Sequence, residues 1–159
     1  EHKDSMGYGE VLRYGDVQHM SAGTGIHHSE FNHSKTEGIH LLQIWITPKE
    51  EGIKPTYAQN NFSTEDKKNQ LKLLVSPDGA QGSLKMHQNA SLYASILDAG
   101  KSVQLPLQMG RHAWIQVARG AIELNGIKLD TGDGAAMTDE PSLQMTATQN
   151  AEFLVFDLP

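Results

Sequence analysis

Short apolar runs recur along the chain, most of them stopped within a few positions by Gly, Pro, Asn or Asp, and that rhythm predicts β-strands rather than helices. Runs at 71–75, 84–87, 91–97, 102–107, 112–118, 121–124, 127–129, 134–138, 143–146 and 152–157 follow one another closely, and none carries the 3.6-residue period of an amphipathic helix. Arg119-Gly120 and Asn125-Gly126 read as tight hairpin connections, because such turns need positive φ values that Gly and Asn tolerate best. Before residue 49 the pattern is sparser. Residues 11–14 precede Gly15-Asp16, 18–20 precede the glycine-rich turn 21–25, and 40–47, HLLQIWIT, reads as a strong strand stopped by Pro48. The polar stretch 49–70, interrupted by Pro55, reads as a connector in which Ser63 is placed to cap one helical turn. The predicted class is all-β, a sandwich or barrel. The few strands before the connector cannot close a barrel and those after it can, so the expected organisation is a partial barrel at 1–48, a connector at 49–70 and a complete barrel at 71–159.

Composition narrows the function. The 159 residues include no cysteine, which removes disulfides and thiolate metal sites and fits a reducing compartment. Net charge is −6, and no basic cluster exceeds Lys67-Lys68, so a nucleic-acid partner is not expected. No apolar run approaches the ~20 residues of a membrane span. The start, Glu1-His2-Lys3-Asp4, resembles neither a signal nor a transit peptide and has no initiator methionine. The expectation is a cytoplasmic protein whose chain begins inside a longer product.

Candidate chemistry gathers at 27–33, HHSEFNH. Residues i and i+2 of a strand share a face, so His28 and Glu30 aim together, and His27 and Ser29 aim the other way. An imidazole and a carboxylate from one strand supply two ligands to a divalent transition metal, short of the three or four protein ligands most such sites need. His-x-Glu alone is common. His27, His33 and His40 fit exposed strand faces; His19, His87 and His112 have no carboxylate at matched spacing and read as structural; His2 is too close to the chain end to interpret.

The stretch 15–30, GDVQHMSAGTGIHHSE, resembles the second cupin motif in its pirin form, G-x-x-Q-x-M-(S/T)-A-G-x-G-I-x-H-(S/A)-E. Residues 40–46, HLLQIWI, are similar to that family's H-x-x-Q-x-W strand, and 55–57, 74–78, 82–85, 114–117 and the ending 153–159 resemble its bacterial branch. The resemblance implies a bicupin built of two double-stranded β-helix barrels, with a metal in the first only. There His28 and Glu30 are the later pair of ligands, and the earlier pair, two histidines of an H-P-H segment, has no match in these 159 residues. The expected N-terminal barrel is therefore incomplete and its centre severed. The second barrel is expected to be metal-free, because 110–117 offers only His112 and 132–137 no histidine.

For the intact parent the resemblance implies a quercetin 2,3-dioxygenase that opens flavonols with O2, using a divalent iron, copper, zinc, nickel or manganese ion. Glu30 would be both ligand and base for the flavonol hydroxyl. The alternative is a non-enzymatic metal- or redox-sensing protein, regulatory or stress-related, that acts through protein partners. For the 159 residues themselves the expectation is negligible turnover, and self-association through exposed strand edges and apolar residues such as Ile44 and Ile46.

Overall fold

The computed structural model describes residues 1–159, and its regular secondary structure is almost wholly strand. In chain order these are β1 (His2–Asp4), β2 (Gly9–Glu10), β3 (Asp16–Ser21), β4 (His28–Glu30), β5 (Thr56–Asn61), the one-turn helix α1 (Thr64–Lys67), and β6 (Lys72–Ser76). A 3-10 turn (Ala80–Gly82) leads to β7 (Leu84–Lys85), β8 (Ser91–Leu97), β9 (Ser102–Pro106) and β10 (His112–Arg119). The chain ends with β11 (Ala121–Leu124), β12 (Ile127–Asp130), β13 (Gly134–Thr138), β14 (Ser142–Ala147) and β15 (Ala151–Leu158). No helix is long and apolar enough to cross a membrane.

Two sheets dominate, one six-stranded in the order β13-β10-β15-β8-β6-β7 and one four-stranded in the order β12-β11-β14-β9. Period-2 alternation decides what each strand buries. Along β15, Ala151, Phe153 and Val155 face the four-stranded sheet and join Leu97, Ile115, Val117, Ile122, Leu124, Leu143 and Met145 in the main core. The intervening Leu154, Phe156 and Leu158 face the opposite way, toward a second cluster with Phe62, Leu74, Leu92 and Ala94. The six-stranded sheet thus carries apolar clusters on both faces, the outer one covered only in part, and this second cluster also receives Val17 and Ile46 from the N-terminal part. A fully buried apolar side chain such as Phe153 (0 % exposed) contributes about 1.5–3 kcal/mol. Connections follow the turn chemistry of the sequence. Asn125 (φ 46°) and Gly126 (φ 86°) close the β11–β12 hairpin. Gly120 (φ 72°) turns β10 into β11 so close to the Asn150 carbonyl oxygen that a Cβ would overlap it.

The N-terminal part is built of two smaller sheets, β2-β1-β4 and the pair β3-β5. Here the sequence expectations need correction. Residues 40–47 form no strand, and neither do 11–14. The 40–47 segment has no partner strand for its N–H and C=O groups; it lies along the outer face of the six-stranded sheet, fastened where Gln88 Nε2 donates to the Thr47 carbonyl (2.8 Å) and Lys49 N–H to the His87 carbonyl (2.7 Å). Conversely, the polar stretch 49–70 holds a strand, since β5 pairs in full register with β3 from Asp16↔Asn61 to Ser21↔Thr56. Ser63 does cap α1, in a reciprocal box with Asp66.

Candidate metal centre

The motif 15–30 folds as β3, a glycine turn and β4. Gly23 (φ 53°) passes so close to the Ile53 carbonyl oxygen that a Cβ would overlap it, and the Thr24 N–H donates to the same oxygen at 3.0 Å. That pinned turn delivers β4 antiparallel to β1, with Glu30 opposite His2, Ser29 opposite Lys3 and His28 opposite Asp4. Alternation then sets His2, Asp4, His28 and Glu30 on one face. Gln18 of β3 and Tyr57 of β5 border this face, in contact with His2.

His2 is the centre of the cluster and fully buried (0 % exposed). Its ring stacks with those of His28 (5.7 Å) and Tyr57 (5.1 Å), and Tyr57 stacks in turn on Tyr8 (5.2 Å). Nε2 is 3.2 Å from Asp4 Oδ2, and Nδ1 is 3.0 Å from Gln18 Nε2 and 3.6 Å from Glu30 Oε1. The other oxygen of Asp4 accepts the backbone N–H groups of Met6 (2.9 Å) and Tyr8 (3.1 Å). Burial pushes the Asp4 carboxyl up, but the hydrogen bonds from His2, Tyr8 and Met6 outweigh it and hold the group below the usual carboxylate range. Burial, and then the negative field of Glu10, Asp4, Asp16 and Glu30, pushes the Tyr57 phenol up, so it remains a donor and bonds Gln59 Oε1 at 2.7 Å.

Glu30 and His28 face outward from this support. One third of the Glu30 side chain is open to solvent, and Gln18 Nε2 stands 3.5 Å from its Oε1. Imidazole nitrogen and carboxylate oxygen suit a divalent first-row metal. No three His, Asp or Glu side chains converge on a point where an ion would sit, so the residues present fit part of a donor set rather than a whole one.

The other sequence candidates lie elsewhere. His27 precedes β4 and offers its backbone N–H to Ser5 Oγ (3.2 Å), His33 pairs with Glu1 at the surface (2.8 Å), and His40 is exposed. His112 Nδ1 lies 3.2 Å from Thr138 Oγ1, and half-buried His19 lies near His87. His2, set aside in the sequence because of its terminal position, is the residue the fold brings in. Its signal was present: His2-x-Asp4 repeats the spacing of His28-x-Glu30, as two facing strands of one site require.

Comparison with known proteins places this cluster in a lineage. Residues 73–158 match the profile described as quercetinase C-terminal cupin domain, and residues 1–46 match the profile described as pirin. A quercetin 2,3-dioxygenase of Escherichia coli K12 is 46 % identical over 159 residues, covering 100 % of this chain and 68 % of that protein. A pirin-like protein of Caulobacter vibrioides is 34 % identical over 158 residues, covering 98 % of this chain and 67 % of that protein. The crystal structure of the bacterial pirin YhhW of Escherichia coli in complex with nickel(II) superposes with a TM-score of 0.92 at 44 % identity, over 100 % of this chain and 67 % of that one. The chain therefore spans about two thirds of the length of these relatives. With profile matches at both ends, close relatives along its whole length and the same strand architecture, the chain belongs to the pirin family of cupin proteins.

Proposed function

We propose that His28 and Glu30 are two ligands of a divalent-metal centre in a quercetinase-type flavonol dioxygenase, and that Glu30 is also its general base. The observation that carries this reading is the placement of Glu30. It stands on the same face as His28, part open, with its Oε1 turned toward a buried hydrogen-bonded support. A bound metal would supply Lewis acidity toward a coordinated flavonol oxygen. The chain's own contribution is to present an imidazole and a carboxylate together and to take the flavonol hydroxyl proton onto a Glu30 oxygen. The name of the Escherichia coli relative, quercetin 2,3-dioxygenase, supports the substrate class, and the nickel(II) complex of the YhhW structure supports a divalent ion.

Two protein ligands hold an ion weakly, and this chain spans 68 % of the Escherichia coli relative, so on this reading the remaining donors belong to the part of such a protein that these 159 residues do not span. Elemental analysis tests this on the 159-residue chain and on a version extended by the relatives' upstream segment. About one metal per extended chain and almost none in the shorter one is the expected result. Loss of quercetin absorbance under O2 should then accompany the metal in the extended protein, vanish with a chelator, and fall at least 100-fold in Glu30→Gln. A full metal equivalent in the 159 residues alone would overturn the reading.

A further inference from the structure

The hydrogen atoms around His2 can be placed by elimination. Asp4 Oδ1 already accepts two backbone N–H groups, and as a carboxylate Asp4 has only lone pairs to offer at Oδ2. The 3.2 Å contact with His2 Nε2 therefore requires the hydrogen on Nε2. On the other side of the ring, Nδ1 is met at 3.0 Å by the Gln18 amide nitrogen. The second hydrogen of that nitrogen is left for Glu30 Oε1, 3.5 Å away. Reversing the amide would set its carbonyl oxygen against the Glu30 carboxylate, two acceptors with no hydrogen between them. The orientation is kept although it leaves Gln18 Oε1 buried with no partner, a defect that ordinarily costs about 1–3 kcal/mol.

His2 cannot swing out of this arrangement. It is fully buried, stacked with His28 and Tyr57, and in contact at both nitrogens.

We propose that Gln18 is a positioning residue for Glu30, itself held by the buried Asp4–His2 pair, so that Oε1 is turned toward the protein and Oε2 is left to the metal or the substrate. This rests on the metal-centre reading above and says how that centre is set. At 3.5 Å the Gln18–Glu30 contact is weak as a bond; its effect is to choose which carboxylate oxygen faces inward. Supports of this kind commonly govern metal affinity by 10–100-fold.

The test uses the 159-residue chain and nickel(II) alone, followed by paramagnetic broadening of NMR signals, which detects weak sites. Nickel should broaden the signals around His28 and Glu30 first. Gln18→Met keeps the length of the side chain and removes its donors, so about tenfold more nickel should be needed for the same broadening. The urea midpoint should barely change, because the same substitution also removes the orphaned oxygen. A residue that only filled space would give unchanged nickel dependence, and that result overturns the proposal. His28→Ala separates this failure from failure of the underlying reading: if it leaves the broadening intact, the metal pair itself is wrong and the proposal goes with it. Should Gln18→Met not fold, Gln18→Asn takes its place: it keeps an amide but draws it back from Glu30, so more nickel should again be needed, and an unchanged nickel dependence overturns the proposal.

Discussion

At the scale of single residues, the legible part of the candidate site was the shared face of His28 and Glu30, and the hidden part was the cluster around His2. His28 and Glu30 could be read because alternation along a strand is local. His2 could not be read with the same certainty, because its burial comes from Tyr57 and Gln18, which lie far along the chain and meet it only in the fold. Away from the site, His19 carries a pH prediction. Burial, and then the nearby His87, lowers its pKa below the ordinary value of about 6.5. As pH falls through that value the unfolded chain takes up a proton that the folded chain resists, so stability is full above it and is lost on acidification. The urea midpoint should therefore drop between about pH 7.5 and pH 5.5, and less so in His19→Gln. An equal drop in both proteins would show that His19 contributes nothing. Phe153, fully enclosed between the two large sheets, should cost about 3–5 kcal/mol when changed to Ala, read from the same denaturation curves.

At the scale of elements, the strands from β6 onward were visible because each is bounded by turn residues and buries one or both faces. The segment 40–47 has a strand's composition but no neighbour to pair with, and composition says nothing about neighbours. β5 shows the reverse: Thr-Tyr-Ala-Gln-Asn-Asn is a poor strand sequence, and its ladder to β3 makes it one. The helix α1 is similarly dependent on one device. Four residues are too few to hold a helix by propensity. What holds this one is the Ser63–Asp66 box, in which Asp66 N–H donates to Ser63 Oγ (3.1 Å) and Ser63 N–H to Asp66 Oδ2 (2.9 Å). The helix carries Lys67 into a buried position, 3.8 Å from Glu152 and 5.0 Å from the Tyr14 ring. Ser63→Ala should destabilise the protein by about 1 kcal/mol, measured as a shift in urea midpoint. Ser63→Thr should recover most of that loss, since the hydroxyl is what the cap uses.

At the scale of the whole molecule, the alternation that fills the core also leaves the outer face of the six-stranded sheet only partly covered. Trp114 and Gln116 of β10 and Leu154, Phe156 and Leu158 of β15 point away from the main core, and the unpaired segment 42–46 crosses in front of them. Between them lies an apolar groove of about 420 Å³. Ile46 is half-buried against the second cluster, contrary to the exposure expected of it, whereas Ile44 is 40 % exposed and Trp45 86 %. Contiguous exposed apolar surface together with a short, unpaired extended segment favours association of one copy with another. Sedimentation velocity over a hundredfold range of concentration should show the chain moving from monomer to larger species. Trp45→Lys places a charge in the groove without touching a core residue, and should shift that transition to higher concentration by about tenfold or more. A single monomeric boundary across the whole range would mean that the 42–46 segment already covers the sheet well enough, and that this face is a closed part of the fold.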